Sequence, residues 1–320
     1  MSDWSTALRT VPLLLLAACY KKVPEGDVCE TAVSVASPAM TIEQIGLTEG
    51  LLGESALVIG PDGTSVLIDV GWGHKDDILT AAERSGLGDT VDWVILTHDD
   101  PDHVGSYDNL FTKRNAPLTL TNEVVRWDTP TLPVTIELGG GAQLVLFVAD
   151  GRLATSAGEV NLFDEFDKLD RLDNTHSVAG IITYGEFSYV FGGDMPGGGK
   201  TTPDMEGAIA GHAADIPWVP PDGVTMVHVN HHGISTSTNE AWTDWLKPRF
   251  ALLGATNVYL DVPSEEALAS LEPHVEAVWI TETGKFGNEN DQTCVAHGSV
   301  VVQVGEGGDD VGVELIPVRD

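Results

Sequence analysis

Within one short stretch, His98-Asp99-Asp100-Pro101-Asp102-His103 carries two imidazoles and three carboxylates, just beyond the apolar run Trp93-Val94-Ile95-Leu96. Carboxylates this close repel one another and are costly to desolvate, so a cation is what would hold them together. In a tight loop the order H-x-D-x-D-H can aim two ligand pairs at two neighbouring metal ions, which points to a hydrolase. Three further segments end strand-like runs on metal-binding side chains: Leu67-Ile68-Asp69-Val70-Gly71, Phe191-Gly192-Gly193-Asp194-Met195 and Val229-Asn230-His231-His232-Gly233. Each alone has a plainer reading, as a turn or cap aspartate or a satisfied histidine. Their joint occurrence with the 98–103 stretch carries the inference. Loops gathered at one edge of a sheet sandwich would bring them into one cleft.

The elements that must position these residues are strand-rich from about Met40. Runs at 55–59 and 65–70 flank Gly60-Pro61-Asp62-Gly63 and predict a hairpin. A helix is expected over 74–84, stopped by Gly86-Leu87-Gly88, then a strand over 91–96 leading into the acidic loop. Strands are expected at 134–138 and 143–148, and a second hairpin at 178–184 and 188–191. Beyond it follow a strand at 224–229, a helix at 239–247, a strand at 250–253, a helix at 264–271 and a strand at 275–280. Closing strands are expected at 299–304 and 311–316. Strand-rich halves, each with helices, predict an α/β sandwich. Residues 153–173 read as a solvated helix face or loop. Their cluster of Asp164, Glu165, Asp167, Asp170 and Asp173 lacks the alternating register and central glycine of a calcium loop. Gly197-Gly198-Gly199-Lys200-Thr201 mimics a phosphate loop, but that motif needs glycine where Asp194 stands.

Charge narrows the partners. Sixteen Lys and Arg against 49 Asp and Glu give a formal net charge of -33 over 320 residues. Such a field repels nucleic acid and anionic membrane surfaces, and no basic track exists to bind a polynucleotide backbone. A solvated acidic surface is the plain reading. The run Val11-Pro12-Leu13-Leu14-Leu15-Leu16-Ala17-Ala18 is too short to span a bilayer but suits a signal peptide. Leu16-Ala17-Ala18-Cys19 resembles a bacterial lipobox, in which Cys19 becomes the lipidated first residue. The expected organisation is therefore a lipoprotein-type signal peptide over 1–18, a tether over 19–38 and one catalytic domain over 39–320. Export with attachment to the membrane through the N-terminal lipid alone follows; a secreted or cytoplasmic protein is the alternative. In an oxidising compartment the two remaining cysteines, Cys29 and Cys294, could form a disulfide or stay as thiols.

Taken in order, Leu-Ile-Asp-Val-Gly at 67–71, H-x-D-x-D-H at 98–103, Gly-Gly-Asp at 192–194 and His-His-Gly at 231–233 resemble the metallo-β-lactamase fold family. More narrowly, they resemble the branch represented by the C-terminal hydrolase domain of bacterial competence-channel (ComEC-like) proteins. There Asp replaces the middle His of the more usual H-x-H-x-D-H, as Asp100 does here. Asn174-Thr175-His176-Ser177 and the segment 278–284 fit that branch, and the resemblance spans about residues 40–305.

The resemblance implies an αββα sandwich and two divalent metal ions, Zn²⁺ or Mn²⁺. His98 and Asp100 would hold one ion, Asp102 and His103 the other, and Asp194 would bridge them. His232, the residue before Gly233, is the favoured last ligand, with His231 orienting it or taking its place. Asp69 would bond the ligand loop. His176 lies near a ligand position that varies in this branch and is read as a non-ligand. Asp102 and Asp194 would be the catalytic carboxylates, Asp102 holding the attacking hydroxide. Two departures touch the substrate pocket: Ile234 replaces the usual Ser, although Ser237 matches the next polar position, and Tyr259-Leu260-Asp261 stands where Tyr-Gly and a later His are common. The harder, more anionic site made by Asp100 favours phosphoesters, either small molecules or surface phosphoesters. A C–N or C–O hydrolase, including a β-lactamase, is the alternative, as is a surface binding protein that keeps the fold without turnover.

Overall fold

Apolar runs without polar alternation, such as Phe187–Phe191, Phe250–Leu253 and Ala277–Ile280, are buried at every position, as strands are when a sheet is covered on both faces. The structure, a computed structural model, describes residues 29, 34–47, 53–166, 173–259 and 261–317. The expected signal peptide, Cys19 and residues 20–28 of the expected tether lie outside the described residues.

Two sheets face each other. One has seven strands in the order Val311–Pro317, Gly298–Val304, Met40–Gln44, Ala56–Ile59, Ser65–Ile68, Trp93–Leu96, Val124–Arg126. The other has ten strands and runs from Gly158–Asn161 at one edge to Thr293–Val295 at the other. Between them lies a core of inward side chains that includes Ile42, Val58, Ile95, Leu144, Ile182, Tyr189 and Trp279. On the outer face of the first sheet, Ile78 and Ala81 of helix Lys75–Arg84 pack on Leu67, Val94 and Leu96. On the outer face of the second, helices Met205–Gly211, Glu240–Leu246 and Glu265–Leu271 pack on Val190, Val227, Leu253 and Val278. The layers are therefore helix, sheet, sheet, helix. Asp204, Asn239 and Ser264 start these last three helices, each side chain accepting from a first-turn N–H. Among the described residues no helix is long and apolar enough to cross a membrane.

The 56–59 and 65–68 hairpin, the helix over 75–84 and the 179–184 and 187–191 hairpin stand where the sequence places them. Residues 152–161 differ from expectation. They form a hairpin, Arg152–Thr155 with Gly158–Asn161, in which Leu153 and Ala154 are buried but the edge strand Gly158–Asn161 is exposed or half-buried throughout, so no apolar alternation marks it. The end of the expected tether is also docked: Val35 N–H donates to Gln303 Oε1, and Cys29 is bonded to Cys294 with Cα atoms 5.2 Å apart.

Parallel pairing gathers the functional loops. Ser65–Ile68 and Trp93–Leu96 run parallel, so Asp69 and the 97–103 segment leave the first sheet at one edge. Phe187–Phe191, Met226–His228, Phe250–Leu253 and Ala277–Ile280 run parallel in the second, so Asp194, the His231–His232 turn and Gly254 leave at one edge too. Val178 N–H donates to the Thr97 carbonyl at 2.9 Å, stitching the two edges together.

Candidate metal centre

Asp194 stands at the centre. Its carboxylate oxygens lie 3.1 Å from His103 Nε2, 3.5 Å from His231 Nε2 and 3.7 Å from both His98 Nε2 and His232 Nε2. Asp100 Oδ2 is 3.5 Å from His98 Nε2, and Asp102 Oδ2 is 3.7 Å from His232 Nε2. Asp194, His98, His103 and His232 are buried, whereas Asp100, Asp102 and His231 are partly exposed and mark the mouth.

Local geometry explains the placement. Asp100 precedes Pro101 with extended backbone, and Pro101–Val104 forms one helical turn that carries Asp102 and His103. Asp69, His231 and His232 adopt left-handed backbone, with φ of 57°, 51° and 54°, a conformation that non-glycine residues hold only under constraint. The constraint is visible at Asp69. Its Oδ1 accepts from Thr97 N–H at 2.8 Å, and its Oδ2 accepts from Thr97 Oγ1 at 2.7 Å. Oδ2 also lies 2.8 Å from His103 Nδ1. His232 Nδ1 is 2.9 Å from the Gly254 carbonyl, which turns Nε2 toward Asp102 and Asp194.

The donor set suits divalent cations. His98 Nε2 and Glu54 Oε2 are buried with no hydrogen-bond partner, and the buried His103 Nε2 and Asp194 Oδ1 meet only each other, at 3.1 Å, although such groups normally find well-formed partners. Their electrostatics call for positive charge. Burial opposes ionisation of Asp194, yet His103, His231 and His232 hold its carboxyl well below the usual range. Burial likewise opposes charge on His103, yet Asp194 and Asp69 raise it well above the ordinary imidazole value. His232 is pushed up to about 9, the Asp194 charge and the Asp102 contact outweighing burial. Asp102 is held below the carboxylate range by His232 and His103, again against burial. Imidazoles that draw in protons around three carboxylates occupy the electrostatic place of a cation.

Glu54, His103, Asp194 and His232 each offer an atom within 4.8 Å of the others, a candidate metal-binding cluster. Glu54 is the member that sequence reasoning missed. Its Oε2 lies 3.5 Å from His232 Nδ1, on the edge of the ring away from Asp194, while its Oε1 bonds His228 Nε2 and accepts from Gln44 Nε2 at 2.9 Å. Glu54 therefore meets His232 at Nδ1, while Nε2 of the ring faces Asp102 and Asp194. The available signal was a lone carboxylate inside an apolar stretch, Leu52-Gly53-Glu54-Ser55-Ala56-Leu57. Tyr259, which the sequence placed only at the substrate pocket, reaches the cluster itself: its hydroxyl donates to Asp102 Oδ2 at 2.9 Å and lies 3.0 Å from His232 Nε2. Asn174 Nδ2 reaches His231 Nε2 at 3.2 Å. His176 is engaged elsewhere, bonding Asp150 and meeting Phe163 edge-on.

The sequence profile of the metallo-beta-lactamase superfamily matches residues 50–259, a span that encloses Asp194 and every side chain named around it except Gln44. No curated protein matches the chain. Among solved structures, the metallo-beta-lactamase fold protein YhfI from Bacillus subtilis is 12% identical over 76% of this chain and 96% of its own, with a TM-score of 0.41. A diphosphatase from the PhnP family is 12% identical over 86% of this chain and 100% of its own, TM-score 0.40. Zn²⁺-bound PqqB from Methylobacterium extorquens is 15% identical over 76% and 98%, TM-score 0.40. Likenesses this distant carry nothing about activity. The profile match, covering more than half of the chain and the whole cluster around Asp194, shows that this protein belongs to the metallo-β-lactamase superfamily.

Proposed function

We propose that this chain is a dinuclear metal-dependent hydrolase acting on phosphoesters. The observation that carries the reading is the Asp194 carboxylate with four imidazole nitrogens within 3.7 Å, flanked by Asp100 and Asp102. In this reading His98, Asp100 and His231 would hold one cation and Asp102, His103 and His232 the other, with Asp194 available to both. His231 fills the set because His176 is committed to Asp150. A donor set with three carboxylates suits Mn²⁺ as well as Zn²⁺. Asp100 in place of a histidine also favours the competence-channel branch within the superfamily. When bound, the cations supply Lewis acidity and a water acidified to near neutrality. Asp102, ionised and partly exposed at the mouth, would accept a proton or hydrogen bond at the oxygen not engaged by Tyr259. Asp69 keeps His103 in one ring orientation and tautomer.

A small-molecule or surface phosphoester fits the -33 charge better than a polynucleotide does. Residues 11–19 support export with a lipid on Cys19, and the Cys29–Cys294 pairing supports an oxidising compartment. Loss of labelled palmitate in Cys19→Ala tests the anchor.

Metal analysis of the purified protein should find close to two ions per chain. Bis-p-nitrophenyl phosphate should be cleaved in Mn²⁺ or Zn²⁺, nitrocefin should not, and Asp102→Ala should abolish turnover while keeping the fold. Turnover of nitrocefin alone would replace the phosphoester reading by a C–N hydrolase. Two bound ions with no turnover of any ester or amide would leave a binding protein.

A further inference from the structure

Glu206, on the short helix Met205–Gly211, is fully buried and has no cationic partner among the described residues. Such a carboxylate is expensive unless each lone pair it buries is used. Here they are used on one loop. Oε1 accepts from Asn230 Nδ2 and from Thr238 N–H, and Oε2 from Asn239 N–H, all at 2.7 Å. Those donors bracket the His231–His232 turn at both ends.

The turn needs a clamp. His231, His232 and Thr238 all have left-handed backbone, with φ of 51°, 54° and 52°, which persists only where surroundings over-determine it. The loop closes on itself through Asn230 N–H to Thr238 Oγ1 at 2.9 Å and Ser237 Oγ to the Asn230 carbonyl at 2.8 Å. Its other side docks on the aspartate turn, His231 N–H donating to the Gly193 carbonyl at 3.0 Å. The chain after Asp194 returns to the same carboxylate. Glu206 N–H donates to the Pro196 carbonyl, and Gly197 passes so close that a Cβ there would stand 2.3 Å from Glu206 Oε2. The Gly197–Thr201 segment, which mimics a phosphate loop in sequence, starts with this close approach. Glu206 thus joins the segment that carries Asp194 to the segment that carries both histidines.

We infer that Glu206 is a positioning residue: it holds His231 and His232 against Asp194 and so sets the affinity of the site for divalent cations without touching them. The inference rests on His231 and His232 being ligands, as proposed above. Burial pushes the Glu206 carboxyl up to about 7 despite its three donors, so the chain retains a costly group where an apolar side chain would pack the helix.

The test is Glu206→Gln in the full chain. Glutamine keeps the volume but turns an NH₂ toward one of the backbone N–H donors, which then has no acceptor. Competition titration with a chelator should show Zn²⁺ or Mn²⁺ affinity falling by ~10–100-fold. At saturating Co²⁺ the visible d–d spectrum should shift, a change that a merely structural role would not produce. Asn230→Ala, which removes one of the three donors, should shift both readouts in the same direction by less. A folded Glu206→Gln with unaltered affinity and Co²⁺ spectrum overturns the inference. If that variant does not fold, unaltered binding in Asn230→Ala overturns it. Both readouts are independent of turnover, so a protein that binds two cations yet cleaves no phosphoester sinks the substrate reading and leaves this inference standing. Failure of the unaltered chain to bind any cation overturns both.

Discussion

Asp69 Oδ2 and His103 Nδ1 lie 2.8 Å apart and both are buried, so the far side of the imidazole, Nε2, is turned toward Asp194. Thr97 donates to both Asp69 oxygens, through its N–H and its hydroxyl. The carboxylate has no freedom to release the ring. In Asp69→Asn an NH₂ must face either Thr97 or His103. Metal affinity should fall by ~10–100-fold, read by competition with a chelator; unchanged affinity would remove Asp69 from the site.

Tyr259→Phe should act on turnover as well as on stability. The phenol donates to Asp102 at 2.9 Å, and burial together with the Asp102 and Asp194 charges holds it protonated. A hydrogen bond to a charged group is worth about 1.5–3 kcal/mol, so kcat/KM should drop by ~10–100-fold. Because the bond is already made in the resting fold, urea unfolding should show a loss of up to the same order. An unaltered rate would show that the hydroxyl only fills space.

Glu54 is matched to His228 inside the inter-sheet core, with Gln44 on the same oxygen. Burial opposes its ionisation, but His228 and His232 hold the carboxyl below its ordinary value. Glu54→Ala leaves His228 and Gln44 without their shared acceptor. Loss of one partner of a buried pair costs about 3–5 kcal/mol, so urea unfolding should show a loss of that order. In Glu54→Ala/His228→Leu part of it should return. Equal stability of the two variants would mean that the pair is not coupled.

Glu206 gives the fold a pH dependence of unusual sign for a carboxylate. Its folded value is about 7 against an ordinary 4.5. Between these values the native chain keeps a proton that the unfolded chain has released. Stability is therefore fully present below pH 4.5 and is lost as pH rises toward 7, by about 3 kcal/mol for this group. Urea unfolding of metal-free protein across that window should show this slope, and Glu206→Gln should lack it. Parallel profiles would place the carboxylate in a wetter setting.

The H-x-D-x-D-H loop was legible because its candidate ligands are neighbours in the chain, and Asp69, Asp194 and His231–His232 because each ends an apolar strand run. The hairpin at 152–161 was not: Gly158–Asn161 is exposed or half-buried at every position, so no apolar alternation marks it.

Local order along the chain thus settles the superfamily's motifs, the sandwich class and the acidic character. Packing settles the rest. Glu54 and Tyr259 reach their partners His228 and Asp102 across separations of 174 and 157 residues, and Glu206 reaches Asn230, Thr238 and Asn239 from another helix. No periodicity or spacing encodes such contacts, because the energy that selects them is the avoided cost of a buried, unpaired polar group. That cost exists only after the two sheets have closed and excluded water.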